Sequence, residues 1–340
     1  LSSIKKTTLK NILIIRFSAL GDVILVRPII QLFLKTYPDV TIWMVSNVNN
    51  KSIFDFDERL KFIGIDFNSK EKNIFQIAKK VKEVSGNINF NGIYDLHDVI
   101  RSKILCLLLS AKTDFTRVYE KQRSLKKEII NKKISLQKLK TSSERYLHCL
   151  KKDFDKLDFS NISKSLKAGT TKKNIIGIAP FSAHKSKIWP LSNYQKIINH
   201  YKTFKFVIFA FGSQELEDSK TYFLKNSNCS LIDRNLNLNE QMELINDFKV
   251  FISMDSANMH LASLTSTKVV SIWGPTHPFL GFSPLFNEEF IVQLSNEENS
   301  ERPISIYGKI KKLNEAKAKQ SMSRIGPERV IEKINLAINQ

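Results

Sequence analysis

The sequence predicts an α/β protein made of two doubly wound domains, each built around a parallel sheet. Short apolar runs rich in β-branched residues alternate with longer amphipathic stretches, which is typical of parallel sheets because every strand needs a crossover helix. The alternation occurs twice, on either side of a Lys-rich stretch. The length of 340 residues is more than one hydrophobic core usually serves and suits two domains. We therefore expect function to lie in a cleft between domains.

The N-terminal domain is assigned to residues 1–165. Its strands are predicted, in chain order, at 11–18, 41–46, 61–67, 92–98 and 114–119. Apolar residues recur with helical spacing over 22–37, 74–85 and 100–110. From residue 120 the chain is Lys-rich and largely helical, and it ends in "SKSLKAGTTKKN", where Ser, Gly and Thr without an apolar period indicate a linker. We place this linker at 166–173.

The C-terminal domain is assigned to residues 174–325, where the same alternation returns. Its strands are predicted at 174–181, 205–212, 230–234, 250–256 and 268–274. The last segment, 326–340, has Pro327 at the first helical position and apolar residues on one face. We expect it to form a helix that packs back across the domains.

The chain carries a strong positive charge. It has 53 Lys and Arg against 33 Asp and Glu, a formal net charge of +20, which favours acidic partners such as phosphates, anionic lipid or nucleic acid. A genome biased towards Lys, Asn and Ile codons would explain the same composition. The three cysteines, with no CxxC spacing, argue against a disulfide framework and a zinc site. No apolar stretch in the sequence approaches the roughly 20 residues that cross a bilayer.

Polar clusters follow the predicted strands, at the sheet edge where ligands bind in open α/β folds. In "RFSALGD", Ser18 and Gly21 lie in the turn after the first strand, and Asp22 opens the next helix. Asp22 either caps that helix or acts in catalysis. Gly21 lets the backbone turn sharply or lets a ligand approach closely.

Two further clusters follow one strand of each domain. "DLHDVIRSK" follows the fourth strand, and its Asp95, His97 and Arg101 form either a local salt-bridged network or part of a site. "APFSAHKSKIWP" leaves the first strand of the second domain with hydroxyl groups and cations, among them Ser182 and Lys187. Such donors and positive charges suit a phosphate.

The segment "ISMDSANMHLA" ends a predicted strand and begins a helix. If Asp255 and Ser256 end the strand, the next backbone N–H groups are unpaired and converge, which makes an anion site; a plain helix cap is the alternative. His260 lies one turn further, and "WGPTHP" adds Thr276 and His277 beside it. An acid at the edge of one domain and phosphate-binding loops at the edge of the other describe a glycosyl transferase. Its second domain would bind a nucleotide-sugar and its first an acceptor.

Four segments together resemble glycosyltransferase family 9, the lipopolysaccharide heptosyltransferases. They are "ILIIRFSALGDVILVRPIIQLFLKTYPDVTIWMV", "DLHDVIRSKIL", "KSKIWP" and "DSANMHLASLTSTKVVSIWGPTHP", in the family's order. The resemblance implies a GT-B fold, in which two Rossmann-like doubly wound domains face a central cleft. It also implies an inverting, metal-independent transferase without a cofactor, which moves a heptose from ADP-heptose to the inner core of lipopolysaccharide on a lipid A–Kdo type acceptor. Such an enzyme would be a cytoplasmic monomer, peripherally associated with the anionic surface of the inner membrane.

The resemblance also implies roles for single residues. Asp22 matches the catalytic base, and Lys187, together with Ser182, matches the loop that stabilises the sugar diphosphate. Glu215 would contact the nucleotide ribose. The other implied residues are donor-binding Asp255, Ser256, Ala257, Asn258, Met259, His260 and Thr276, and acceptor-binding Ser18, Gly21, His97 and Arg101. Ala257 stands where the family has Gly, and "DLHDVIRS" differs from the "DLQG" of enteric relatives, so transfer from another nucleotide-sugar to a surface glycan stays an alternative.

Proteins of other classes fit the sequence less well. A dinucleotide-dependent dehydrogenase would need G-x-G-x-x-G after the first strand, where "RFSALGD" stands instead. A non-catalytic basic protein that binds nucleic acid would interleave aromatic residues with its lysines, but 121–145 has none; we therefore expect no nucleic-acid partner. The "DFD" segments at 55–57 and 153–155 lie away from the other motifs, and we expect solvated charges there, not a Mg²⁺ site.

Overall fold

The computed structural model describes residues 10–69, 72–162 and 171–340 of the chain. The chain divides into two compact units, one of Leu1–Lys121 with Ser142–Ser163 and one of Gln122–Thr141 with Lys164–Gln340. Most of the predicted linker at 166–173 lies outside the described residues.

The first unit is a parallel sheet of five strands flanked by helices. The strands are β1 (Asn11–Ile15), β2 (Thr41–Asn47), β3 (Leu60–Ile65), β4 (Gly92–Asp95) and β5 (Phe115–Val118). They pair in the order β3-β2-β1-β4-β5 and are all parallel. The helices are α1 (Leu20–Ile24), α2 (Arg27–Thr36), α3 (Ile74–Val84) and α4 (Ile100–Leu109), and, after α5 (Arg123–Ile130) of the second unit, α6 (Ser142–Lys151).

The apolar run of β1 explains its central place in the sheet. The side chains of residues 12–15 are fully buried, and because successive side chains point to opposite faces, both faces of the sheet are covered there. Helices α3 and α4 pack on one face, where Ile77, Val81, Leu105 and Leu109 join the core.

The predicted helix over 22–37 consists of two helices. Helix α1 ends at Ile24 and α2 begins at Arg27. Pro28, in the first turn of α2, has no N–H to donate to the preceding turn and its ring excludes a continuous helix. The other predicted strands and helices of this half are present, with ends that differ by a few residues.

The second unit is a parallel sheet of six strands. The strands are β6 (Lys173–Ala179), β7 (Lys205–Ile208), β8 (Cys229–Leu231), β9 (Phe248–Met254), β10 (Lys268–Trp273) and β11 (Ile291–Gln293). They pair in the order β8-β7-β6-β9-β10-β11. Besides α5, the helices are α7 (Asn193–His200), α8 (Ser213–Tyr222), α9 (Leu238–Asn246), α10 (Ala257–Ser263), α11 (Glu315–Ser323) and α12 (Pro327–Asn339). Strand β11 was not predicted, because three residues are too few for a period to show.

One segment differs from its predicted place in the chain's organisation. Residues 122–141, which we assigned to the N-terminal domain, belong to the second unit, where the N–H of Leu139 donates to the carbonyl oxygen of Phe279 at 2.8 Å. Helix α12 packs against α7, β9 and β10 with Val330 and Ile334 buried. These contacts of the C-terminal helix lie within the second unit.

In both sheets the strand order reverses beside the first strand of the unit, between β1 and β4 and between β6 and β9. Ligands of open α/β sheets bind at such points, outside the carboxyl ends of the strands. The loops that leave β1, β4, β6 and β9 carry four of the clusters that the sequence singles out.

Candidate active site

The cluster of the first unit is centred on Arg16 and Asp22. Arg16 directly follows β1 and its side chain is 3% exposed, whereas the side chain of Asp22, in α1, is 26% exposed. Arg16 Nη2 forms an ion pair with Asp22 Oδ2. Arg16 Nη1 donates to the carbonyl oxygen of Leu96 at 2.6 Å and to the hydroxyl of Tyr119 at 3.1 Å. The buried guanidinium therefore holds the carboxylate of Asp22 in one orientation while part of that carboxylate stays accessible.

Two tyrosine rings complete the surroundings of Arg16. Its guanidinium carbon lies 5.8 Å from the ring centroid of Tyr119 and 5.8 Å from that of Tyr146, which is within range of cation–π attraction. The Tyr146 hydroxyl donates to the backbone carbonyl of Asp22 at 3.4 Å. Burial raises the pKa of both tyrosines, so both phenols keep their protons at neutral pH.

The loop after β4 meets the loop after β1 through His97. Its Nδ1 accepts a hydrogen bond from the N–H of Phe17 at 3.1 Å. Burial, and next the charge of Arg16, lowers the pKa of His97 to about 3, so the ring is neutral and Nε2 carries its proton. Asp95 fixes this loop, because one of its oxygens accepts the N–H of His97 at 2.8 Å and that of Asp98 at 2.9 Å.

The ion pair that the structure shows within the 95–103 segment joins Lys103 Nζ to Asp98 Oδ1 at 3.0 Å, and the predicted members Asp95 and Arg101 have other partners. The second carboxylate oxygen of Asp95 accepts the hydroxyl of Ser102 at 2.8 Å. The guanidinium of Arg101 lies 5.2 Å from the ring centroid of Phe67, as a stacked cation does. Asp95 is thus a structural acceptor. Of the predicted acceptor-binding residues, Ser18 and His97 lie in the loops that leave the neighbouring strands β1 and β4. Gly21 and Arg101 lie in the first turns of the helices that follow, α1 and α4.

In the second unit, Lys187 and Asp255 form a buried ion pair. Lys187 ends a 3-10 turn after β6, Asp255 follows β9, and the pairing of β6 with β9 brings the two loops together. Lys187 Nζ lies 3.3 Å from Asp255 Oδ2, and each side chain is 11% exposed. The predicted phosphate ligand Ser182 is half-buried in the loop that carries Lys187.

A glycine loop holds the stem of Lys187. The hydroxyl of Ser186 donates to the carbonyl oxygen of Gly308 at 2.6 Å, and Gly308 has φ +95°. A Cβ added at Gly308 would lie 2.7 Å from Lys187 Cδ. Only glycine fits there without displacing the lysine, so this loop fixes where the ammonium group lies.

Helix α10 places most of the predicted anion-binding residues at the carboxyl end of β9. Ser256 is its N-cap, with Oγ 3.0 Å from Ser253 Oγ, and Ala257 and Asn258 form a half-buried first turn. Met259 is fully buried and His260 is 6% exposed. The side chain of Met259 thus belongs to the core, and only its backbone is suited to contact a ligand.

The loop after β10 is held by an arginine that sequence reasoning missed. Arg302 is 2% exposed and donates to the carbonyl oxygens of Gly274, Leu294 and Thr276. Burial lowers its pKa to about 10, so it stays charged at neutral pH. The predicted donor ligand Thr276 is 1% exposed, and its Oγ1 has no hydrogen-bond partner among the described residues. Arg302 stands in the polar run "NSERPIS", which gives no sign of burial.

Glu215, the predicted ribose contact, caps its own helix. Its Oε2 accepts the N–H of Phe211 at 2.8 Å and that of Gly212 at 3.3 Å. The carboxylate therefore lies at the first turn of α8, on the exit of β7.

Comparison with known proteins decides the family. Residues 87–306 match the model of Glycosyltransferase family 9 (heptosyltransferase), which is well over half of the chain. The chain belongs to glycosyltransferase family 9. Membership of this family confirms both the predicted resemblance and the predicted class of enzyme, a glycosyltransferase.

Two relatives with similar sequences are named lipooligosaccharide heptosyltransferase 2. Lipooligosaccharide heptosyltransferase 2 of Campylobacter jejuni subsp. jejuni serotype O:6 is 23% identical over 321 residues, which cover 93% of this chain and 95% of the relative. Lipooligosaccharide heptosyltransferase 2 of Haemophilus ducreyi is 28% identical over 179 residues, 49% of this chain and 48% of the relative. The chain thus spans about half the length of the second relative and nearly all of the first.

Two solved structures share the fold over nearly the whole chain. A glycosyl transferase of family 9 from Veillonella parvula has a TM-score of 0.73 and 17% identity, and covers 97% of this chain and 98% of its own. The E. coli heptosyltransferase WaaC with ADP has a TM-score of 0.70 and 14% identity, and covers 96% of this chain and 99% of its own. These likenesses confirm the predicted GT-B fold with its two Rossmann-like domains.

One expectation about this family 9 chain is wrong, namely that both "DFD" segments carry solvated charges. The side chain of Asp153 is 8% exposed and pairs with Arg117 at 2.7 Å, and it accepts the hydroxyl of Tyr94 at 2.9 Å. Asp57, in the other segment, pairs with Arg59 at 2.7 Å near the surface. In the parts of the chain that the structure describes, no three His, Cys, Asp or Glu side chains are grouped to hold a metal ion. Over the same residues, no helix has both the length and the apolar character to cross a membrane.

Proposed function

We propose that the protein is an inverting heptosyltransferase that moves a heptose from ADP-heptose to the inner core of lipopolysaccharide. Membership of family 9 supports transfer of a heptose. The names of its relatives, lipooligosaccharide heptosyltransferases, support the acceptor, and a WaaC structure with ADP supports the nucleotide. The observation that carries the mechanism is the pair of fixed charges, Arg16 with Asp22 in one unit and Lys187 with Asp255 in the other.

The second unit binds the nucleotide-sugar in this proposal. Lys187 provides a positive charge at the sheet edge, and Asp255, at 3.3 Å, keeps it there before the donor arrives. The first N–H groups of α10, from Ala257 to Met259, have no partner within the helix. Ser182 and the buried hydroxyl of Thr276 supply further hydrogen bonds. Together these groups suit a diphosphate, whose charge grows as the sugar leaves.

The first unit binds the acceptor and supplies the base. A hydroxyl of the acceptor attacks the anomeric carbon of the heptose while Asp22 takes the proton of that hydroxyl. The bond between the anomeric carbon and the diphosphate oxygen breaks, and ADP departs with the electron pair. Attack from the face opposite the diphosphate inverts the anomeric configuration. General-base catalysis of this kind contributes about 10² to 10⁴ in rate.

The charges of this chain's own residues replace a metal ion in the proposal. Lys187 and the amides of α10 stabilise the departing diphosphate, and no cofactor takes part. The acceptor is a phosphorylated glycolipid of lipid A–Kdo type, so the enzyme works on the anionic inner face of the inner membrane. We infer a monomer in which the first unit is the acceptor side and the second unit is the donor side.

Nucleotide release tests the proposal. Purified protein is given ADP-heptose, UDP-sugars or GDP-sugars in turn, with and without a truncated lipid A–Kdo acceptor, and free nucleoside diphosphate is measured. We expect release from ADP-heptose alone, only with acceptor, lost in Asp22→Asn and kept in Asp39→Asn, which changes an exposed carboxylate of the same unit. Release from a different donor would support the alternative transferase of a surface glycan. Equal activity of Asp22→Asn and Asp39→Asn would contradict the base assignment.

A further inference from the structure

Helix α4 exposes a stripe of large aliphatic side chains. Ile100 is 78% exposed, Ile104 39% and Leu107 74%. The spacing of four and then three residues places them on one face of the helix. The opposite face is the ordinary buried one, with Leu105 and Leu109 in the core of the first unit. Helix α4 is therefore apolar on both sides.

Such a stripe differs from scattered surface apolar residues, which need no explanation. Three neighbouring aliphatic side chains on one helix form a contiguous apolar surface, and surfaces of this kind mark sites of interaction. The helix has ten residues, about 15 Å at 1.5 Å per residue. It is too short to span a bilayer and long enough to lie in its surface.

Charge around the stripe identifies its partner. Helix α4 itself carries Arg101 and Lys103 and no acidic residue, and Lys103 pairs with Asp98 just before the helix at 3.0 Å. The adjoining helix α3 carries three lysines and one glutamate, and its Phe75 is 65% exposed. Apolar residues beside an excess of positive charge match the interface of an anionic bilayer, where the aliphatic groups enter the acyl boundary and the cations meet lipid phosphates.

The position of α4 links this surface to the active site. Helix α4 follows β4, and its first turn comes directly after the loop of His97. His97 in turn bonds to Phe17 in the loop that leads to Asp22. Ile100 therefore lies at the end of α4 nearest the proposed base. A lipid-anchored acceptor reaching that base from a bilayer would approach along this end of the helix.

We propose that α4 is a membrane-docking helix, which inserts Ile100, Ile104 and Leu107 into the interface of an anionic bilayer. The reason for docking rests on the proposed function, because the acceptor of that reaction is a membrane lipid. The Lys-rich segment 122–141 belongs to the second unit, whereas α4 belongs to the first and begins beside the loop of His97.

The test compares two double variants with equal loss of exposed apolar surface. Ile100→Gln with Ile104→Gln removes residues that are 78% and 39% exposed; the control, Leu313→Gln with Leu336→Gln, removes residues of the second unit that are also 78% and 39% exposed. Binding of full-length protein to phosphatidylglycerol-containing vesicles and to phosphatidylcholine vesicles is measured by co-sedimentation. We expect the parent and the control to bind the anionic vesicles and the α4 variant to bind them at least tenfold more weakly, because aliphatic burial drives interfacial binding.

A second readout separates docking from catalysis. Transfer to an acceptor embedded in vesicles should fall with vesicle binding in the α4 variant, whereas transfer to a deacylated, water-soluble acceptor should equal that of the parent. Unchanged vesicle binding by the α4 variant, equal losses in both variants, or no binding by the parent would overturn the proposal. The last result would instead assign the stripe to a protein partner. Binding through α4 without transfer to any acceptor would uphold the docking helix and refute the proposed function.

Discussion

Gly308→Ala should impair donor binding through Lys187, although residue 308 carries no functional group. The new Cβ would lie 2.7, 2.9 and 3.0 Å from Cδ, Cε and Cγ of Lys187. Carbon atoms in contact are usually about 3.5 to 4.0 Å apart, so the lysine stem must move by about 1 Å. Because Lys187 Nζ lies only 3.3 Å from Asp255 Oδ2, such a shift takes the ammonium group out of hydrogen-bonding reach.

We expect this substitution to have two effects, one on donor binding and one on thermal stability. A charge-assisted hydrogen bond is worth about 1.5 to 3 kcal/mol, so KM for the donor should rise about 10- to 100-fold. The φ of +95° at Gly308 is in a region that costs a side chain about 1 to 2 kcal/mol, which should lower the melting temperature by a few degrees.

Gly86→Ala is the matched control, because it keeps the strain and removes the clash. Gly86 has φ +65° and no atom within 4 Å of the added Cβ. Thermal melting and donor titration of both variants separate the effects: Gly86→Ala should melt earlier with unchanged KM, and Gly308→Ala should change both. If Gly308→Ala showed the KM of the parent, the glycine loop would not position Lys187 and the reasoning would be refuted.

Three other predictions concern single residues. Asp22→Asn should abolish transfer and leave affinity for ADP within about twofold, measured by calorimetry, because the base lies in the first unit and donor binding in the second; a large loss of ADP affinity would contradict this division. Lys187→Ala should weaken ADP binding at least tenfold, and Lys185→Ala, which removes an exposed lysine of the same loop, should not; equal losses would mean that general positive charge is what matters. Burial lowers the pKa of His277 to about 3, below the value of about 6.5 in an unfolded chain. Unfolded protein therefore takes up this proton first, and the free energy of unfolding should fall as pH drops from about 6.5 towards 3. In urea titrations at pH 7.5 and 5, His277→Asn should show a smaller fall, and an equal fall would rule out this histidine as the cause.

Most of the fold could be predicted because the strands of parallel sheets are buried on both faces. Strand β1 shows this as the apolar run ILII and strand β9 as the apolar run VFI. The amphipathic helices between strands show the 3.6-residue period. Strand β11 escaped prediction because it has only three residues. The division of 22–37 by Pro28 was open to prediction, since a proline that follows six residues of a helical pattern marks a boundary.

The loops that carry the candidate site could be predicted from the sequence, but the contacts between residues of different loops could not. Polar residues after an apolar run can be placed at the carboxyl edge of a sheet from the sequence alone. Strand order decides which loops lie next to each other. No local sequence pattern specifies the strand order. Arg16 finds Tyr119 and Tyr146 more than a hundred residues away, and Lys187 finds Asp255 because β6 pairs with β9. Burial of Arg302 likewise depends on the carbonyl groups of Gly274 and Thr276, which are 28 and 26 residues away.

The chain passes from the first compact unit to the second and back before it enters the second unit for good. This order restricts how family 9 proteins can be recombined. Residues 122–141 belong to the second unit and Ser142–Ser163 to the first. The segment Ser142–Ser163 includes Tyr146, whose ring lies beside the guanidinium of Arg16. A chimaera cut once, between two relatives near residue 165, would transplant 122–141 away from its own unit. A cut near residue 121 would instead leave the first unit without α6 and without Tyr146. Exchange of whole units between family members therefore needs three junctions, near residues 121, 141 and 163.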